Sequence, residues 1–265
     1  MNMIQYQFSL EERLYENVYS TEVKLLDGAF PQKVGILKNT QEWNGAEFIQ
    51  LRSHYVEISK DQNLYRLFYH EPTKQQMDSS TTSESFMGLE SLNHTISKLA
   101  SMTNKVLLFI DEATLFDSLA IIYYLNLSKI EMFLYINLNR THLEKKWFLQ
   151  KILPNRIHIV SSFTEQEISP ILQVQVMGTK LYIAGQWSMM NKVKEMAYQE
   201  GFTDEEILFN GIGPKDEWVF CVKCYQINRK VDVGHDFVCE HCSATLDVSV
   251  HYSKRLDAYL GYLKI

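Results

Sequence analysis

Two cysteine pairs, Cys221-Val-Lys-Cys224 and Cys239-Glu-His-Cys242, hold all four cysteines of the chain, with residues 225–238 between them. Two thiolates held two residues apart on a tight turn grip one face of a tetrahedral ion, and a second such turn supplies the other face. The spacing therefore predicts a closed metal ribbon or knuckle with Cys221, Cys224, Cys239 and Cys242 as ligands. Four protein ligands leave no open position for water, so the expected role is structural, not catalytic. Zn²⁺ is the expected ion, and tetrahedral sulfur also suits a single iron or an iron–sulfur cluster. Redox dithiols are the rival reading, but such motifs sit singly at a helix start within a thioredoxin-like pattern that this sequence lacks. Structural disulfides would need an export context, for which the chain carries no sign. His235 and His241 are read as bystanders, because four thiolates already close the site.

A hydrophobic fraction of 46% with 12% aromatics supports a buried core across the 265 residues. The net charge of −6 argues against a general nucleic-acid binder, which needs clustered Lys and Arg on the phosphates. The first twenty residues have neither a basic segment nor an unbroken apolar one, so no secretory signal is expected. Leu119 to Leu138 is apolar but broken by Asn126, Ser128, Lys129 and Glu131, which reads as a helix followed by a strand and not as a membrane span. A cytoplasmic protein with reduced cysteines and no membrane contact is the expectation.

Three regions follow from the patterning. Residues 1–90 form an N-terminal region expected to be α+β. Strands are suggested at Glu22 to Leu26, Gly35 to Leu37, Phe48 to Ile58 and Leu64 to Tyr69, and Glu11, Glu12, Tyr15 and Tyr19 mark an amphipathic surface element. Residues 73–85 are polar and aperiodic and read as a linker, after which Met87, Leu89, Leu92, Ile96 and Leu99 recur at helical spacing. Residues 91–214 form the second region, in which short apolar runs alternate with helical periods. Strands are predicted at Val106 to Ile110, Ile130 to Leu138, Arg156 to Val160, Leu181 to Ile183 and Ile207 to Phe209. Helices are predicted at Leu115 to Leu127, Thr141 to Leu153, Thr164 to Leu172 with a capping box at Thr164 and Glu167, and Met189 to Glu200. This alternation implies an open, doubly wound, mostly parallel α/β sheet. Residues 215–265 are the four-cysteine module and its tail.

In such sheets ligands gather beyond the carboxyl ends of the strands, where helix N-termini point their N–H groups outward. Two loops qualify: Asp111-Glu-Ala-Thr-Leu115 and Ala184-Gly-Gln-Trp-Ser188. The first has two carboxylates and no glycine, which repels an anionic dinucleotide. Asp111 and Glu112 are better read as helix caps than as a general acid–base pair. Gly185, Gln186, Trp187 and Ser188 are the candidate cofactor-binding residues, with Gly185 allowing close backbone approach and Trp187 offering a ring for flavin, nicotinamide or partner. The bland alternatives are an ordinary strand-to-helix turn and a ring that covers the helix start. His251, followed by Tyr252 and Ser253, reads as a hydrogen-bonded packing position. No Ser-His-Asp order, metalloprotease helix or P-loop is present, so no catalytic residue is assigned.

The segment Leu181-Tyr-Ile-Ala-Gly-Gln-Trp-Ser-Met-Met-Asn-Lys-Val193, with Gly201 and Ile207 after it, resembles the terminal unit of the ferredoxin reductase-type nicotinamide-binding domain. Gly185, Met189, Met190 and Val193 fall on that family's positions, whereas its cysteine is Ala184 here and its two prolines are Gln186 and Ser188. Adding the cysteine module, then Val248-Ser-Val-His-Tyr-Ser-Lys-Arg255 and Ala258-Tyr-Leu-Gly261, makes the chain similar to the DmmA-like family of dimethylamine monooxygenase components. That resemblance implies a subunit of a multicomponent amine-oxidising oxygenase system, working beside separate oxygenase and electron-transfer subunits. It does not imply that this polypeptide performs the oxygen chemistry. Lys254 and Arg255, with Tyr259 and Tyr262, offer a docking surface for an acidic electron carrier, or simply a solvated basic tail. The alternatives are an active NAD(P)H- or flavin-dependent reductase and, against the acidic balance, a zinc-ribbon nucleic-acid adaptor.

Overall fold

The computed structural model describes residues 6–26, 29–30, 33–40, 50–70, 89–90, 103, 105–139, 141–213, 215, 217–230, 236–253, 256 and 258–264. The chain divides into two units, Met1–Ile212 and Gly213–Ile265. The linker over 73–85, His235, and Lys254 with Arg255 lie outside the described residues.

The first unit opens with an antiparallel sheet: β1 (Tyr6–Tyr15), β2 (Val18–Leu25), β3 (Val34–Thr40), β4 (Gln50–Ser59), β5 (Leu64–His70) and β6 (Leu89–Glu90), in the order β1-β2-β5-β4-β3-β6. Among the described residues before Thr103 the regular elements are strands. Leu89 and Glu90, expected in a helix, pair with Leu37 and Ile36, and the rest of that span is outside the described residues. Glu11, Glu12 and Tyr15 lie on β1, a strand that the sequence pattern does not reveal. Its charged residues hide the period of two.

The α/β part then follows as β7 (Lys105–Asp111), α1 (Leu115–Leu127), β8 (Glu131–Asn137), α2 (Leu143–Ile152), β9 (Ile157–Ile159), α3 (Glu165–Gln173), β10 (Thr179–Gln186), α4 (Trp187–Gln199) and β11 (Ile207–Ile212). All neighbours pair in parallel, in the order β11-β10-β7-β8-β9. Burial on both faces makes these strands continuous apolar runs. Val106, Leu108 and Ile110 enter the core shared with α1 and α2, while Leu107 and Phe109 enter the core shared with α3 and α4.

Helix α1 organises the unit. Leu115, Leu119, Ala120, Ile121, Ile122 and Leu125 are all fully buried, so the helix is apolar on nearly every side. A helix without a polar face must be covered all round. Its second cover is the antiparallel sheet: Val34, Val56 and Phe68 join its core, and the Tyr123 ring packs on Phe68 at 4.9 Å. The opposite face of that sheet holds its own core of Val23, Leu25, Phe30, Tyr55, Tyr65, Leu67 and Tyr69.

The second unit is a sheet of β12 (Glu217–Cys221), β13 (Ile227–Lys230), β14 (Asp236–Val238), β15 (Thr245–Ser253) and β16 (Ala258–Leu263), in the order β13-β12-β16-β15-β14. Its core is small: Val219, Cys221, Cys239, Ala244, Leu246 and Val248. A core this small supplies little stability by itself, and small modules commonly add a metal or a disulfide.

Candidate metal centre and the rim of the parallel sheet

Each cysteine pair forms the same turn. In the first, the Tyr225 N–H donates to the Cys221 carbonyl at 2.8 Å and the Cys221 N–H to the Gln226 carbonyl at 2.9 Å. In the second, the Ser243 N–H donates to the Cys239 carbonyl and the Cys239 N–H to the Ala244 carbonyl, both at 2.9 Å. The residue after each second cysteine is left-handed, Tyr225 at φ 61° and Ser243 at φ 54°. These are positions that glycine adopts without cost, whereas other L-residues pay about 1–2 kcal/mol.

The four thiols are not bonded to one another as disulfides. Across the two turns, Cys221 Sγ lies 3.8 Å from Cys242 Sγ and Cys224 Sγ lies 3.6 Å from Cys239 Sγ. All four sulfurs are within 4.8 Å of one another. Zn–S bonds of about 2.3 Å in a tetrahedron require sulfurs about 3.8 Å apart. The donor set thus fits one small tetrahedral ion, with iron and zinc alike in this respect. A polynuclear cluster fits less well, since it spreads its ligands over several metal atoms. The Cys239 thiol is lowered to about 6: burial opposes the shift, but the N–H groups of Cys242 and His241 and the Cys224 and Cys242 thiols outweigh it. Cys224 is pushed up to about 12 by burial and by the other three thiols, against the N–H of Gln226. The four sulfurs therefore crowd one another, and a dication that takes up their deprotonated forms would relieve that crowding. His241 is exposed at its turn, and His251, expected to be packed, is exposed on β15.

The rim of the parallel sheet tells a different story. The strand order reverses between β7 and β10, so the loops at 111–115 and 184–188 meet at the switch point where such sheets bind ligands. Asp111 fills it. Its Oδ2 accepts the Gln186 N–H at 3.3 Å, at the start of α4. A Cβ on Gly185 would meet that same carboxylate oxygen at 2.8 Å and the Asp111 Cβ at 3.0 Å. The glycine therefore accommodates a side chain of this protein. Trp187 is half-buried and covers the backbone of the neighbouring strand: a Cβ on Gly211 would stand 2.5 Å from its ring. Gln186 and Ser188 are exposed.

Asp111, expected to cap the helix that follows it, makes no side-chain bond there and serves α4 instead. Glu112 accepts the Asn139 N–H at 2.9 Å, the Lys145 ammonium at 2.7 Å and a bond from His142. Lys145 also pairs with Glu16 at 3.1 Å, so this cluster of carboxylates already holds a cation of its own. Burial works against the charged form of Glu112, but Lys145, Asn139 and His142 outweigh it and lower its pKa. The expected capping box on α3 is absent: Thr164 makes no side-chain cap bond, and Glu167 accepts from the Ser161 hydroxyl at 2.6 Å and the Ser162 N–H at 3.1 Å. No helix among the described residues is long and apolar enough to cross a membrane.

Residues 218–262 match the family model described as the dimethylamine monooxygenase subunit DmmA-like C-terminal domain. A curated relative, the heme-dependent oxidative N-demethylase delta subunit of Ectopseudomonas mendocina (strain ymp), is 30% identical over 94 residues, which is 36% of this chain and 53% of that protein. The chain thus spans about half the length of the relative it matches. Among solved structures, an intact type IV self-sufficient cytochrome P450 monooxygenase aligns at a TM-score of 0.50 and 9% identity, over 83% of this chain and 30% of that one. A ferredoxin reductase in carbazole 1,9a-dioxygenase aligns at 0.49 and 14% identity, over 79% of this chain and 66% of that one. At 9% identity the alignment at 0.50 speaks to fold alone: an antiparallel sheet followed by a parallel α/β sheet.

Proposed function

We propose that this protein, whose residues 218–262 match the DmmA-like C-terminal domain model, is an accessory or electron-transfer subunit of a multicomponent amine monooxygenase-like system. In this reading it works beside separate oxygenase and electron-transfer subunits. Its ribbon binds one Zn²⁺ through Cys221, Cys224, Cys239 and Cys242, and that ion supplies folding free energy, not chemistry. Secondary amines such as dimethylamine are the proposed substrate class of the assembled system.

One observation carries the reading: the segment that matches the family is the segment that brings four sulfurs to tetrahedral spacing. The rim supports a role without a bound dinucleotide. The Gln186 N–H at the start of α4 is taken by Asp111, and a carboxylate there repels a pyrophosphate. The rival is an active reductase that binds NAD(P)H or flavin at Gly185 to Ser188, a reading that rests on the fold class.

The test uses the full chain. Emission spectrometry is expected to find about one zinc per chain. Titration with NADH, NADPH, FMN and FAD is expected to show no saturable change in tryptophan fluorescence. Co-expression with oxygenase and reductase components encoded beside it is expected to yield a stable complex. Saturable binding of any of these cofactors would favour the reductase, and failure to assemble with any such component would remove the subunit reading.

A further inference from the structure

Asn228 is the one polar side chain, cysteines aside, that is buried in the second unit among the described residues, at 1% exposure. It sits on β13, opposite Val219 of β12. Its Nδ2 donates to the Gln226 carbonyl at 3.2 Å and to the Val219 carbonyl at 3.4 Å. Its Oδ1 accepts the Glu240 N–H at 2.9 Å. These partners belong to different parts of the site. Gln226 supplies the carbonyl that closes the first cysteine turn, and Glu240 lies inside the second, directly after Cys239. The strands that lead out of the first turn and into the second, β13 and β14, lie on opposite edges of the sheet. A single carboxamide therefore ties two turns that the sheet itself holds apart.

We infer that Asn228 is the positioning residue of the four-thiol site: its carboxamide sets the distance between the two cysteine turns and so tunes both the affinity of the site and the size of ion it accepts. The inference rests on the metal reading above. The two close sulfur contacts, Cys221 to Cys242 and Cys224 to Cys239, both run across the gap that Asn228 bridges. A buried carboxamide with three partners has little freedom to stretch, because each lost bond leaves one of its own buried polar atoms short of a partner. Outer-shell groups that hold ligands in place typically contribute 10–100-fold to metal affinity.

The experiment uses the full chain, with Zn²⁺, Co²⁺ and Cd²⁺ as probes in competition with a chromophoric chelator. Asn228→Leu removes all three bonds at similar volume. Asn228→Asp keeps the acceptor for Glu240 and turns an acceptor toward two carbonyls. Both are expected to bind Zn²⁺ about 10–100-fold more weakly, with Leu the weaker. Both are also expected to shift the Cd²⁺-to-Zn²⁺ preference toward the larger ion and to broaden the Co²⁺ absorption bands. Wild-type affinity and ion preference in Asn228→Asp would overturn the inference, even if Asn228→Leu failed to fold. Wild-type protein that binds none of the three ions would instead remove the metal reading on which this one rests.

Discussion

The rim of the parallel sheet and the paired cysteine turns are both places where a protein of this architecture could hold a ligand, and they are built in opposite ways. At the rim, one donor and the space beside two glycines are taken up internally: Asp111 takes the Gln186 N–H, and Gly185 and Gly211 make room for Asp111 and Trp187. At the ribbon, four acceptor sulfurs converge beside a small core. A polar cluster that satisfies itself contributes to stability without a ligand. One that gathers four sulfurs with no cation among them gains from a bound ion. The ion-pair cluster at Glu112 belongs with the first kind, because Lys145 supplies the positive charge.

The sharpest way to break this contrast is to remove the ion. Chelation, or Cys221→Ser with Cys239→Ser, is expected to unfold residues 213–265, since structural zinc sites supply roughly 10 kcal/mol or more. Amide exchange should show protection lost there and retained in β7 and β10. Equal loss in both units would end the distinction.

A smaller effect is expected at the rim. Gly185→Ala drives a Cβ onto the Asp111 carboxylate and should cost about 1–3 kcal/mol in thermal or denaturant unfolding. In an Asp111→Ala background most of that cost should vanish, and a cycle showing no coupling would mean that the glycine serves some other purpose.

Lys145→Met leaves Glu112 without its ammonium partner and should cost about 1–3 kcal/mol at neutral pH. The sign with pH follows from the lowered pKa of Glu112. Its stabilising contribution is complete above the usual carboxylate range and is lost as pH falls through the depressed folded value. Wild type and variant should therefore converge in acid. A gap that widens in acid would contradict the assignment.

The smallest effect concerns the left-handed residues of the turns. Tyr225→Gly and Ser243→Gly relieve backbone strain but loosen the unfolded chain, so each should stabilise the loaded ribbon by less than about 1 kcal/mol. A loss of zinc affinity in Tyr225→Gly would show that the ring has a role in the site.

Legibility from sequence tracked how local each cause was. Helix α1 begins and ends at Leu115 and Leu127 as its apolar run predicts, and α4 stops where Gly201 takes φ 89°. Strands β7 to β11 fall within a few residues of their apolar runs. In the antiparallel sheet β2 to β5 lie on the runs that the pattern suggests, whereas β1, with its charged residues, is not seen. The capping box at Thr164 fails because Glu167 finds better donors in Ser161 and Ser162. At the candidate sites the cysteine spacing is readable, and Asn228 is not. Its neighbours Gln226 and Glu240 are two and twelve residues away, and no local pattern links them.

Spacing alone dictated that four sulfurs would face one another and that an α/β sheet would precede them, since tight turns and apolar periods are settled within a few residues. Folding in three dimensions decided what each loop meets. Asp111 and Gln186 lie 75 residues apart in the chain, and only their juxtaposition at the switch point fills a rim that the residue pattern left open. Hydrogen bonds of that span depend on strand order and register, which no short stretch of residues encodes.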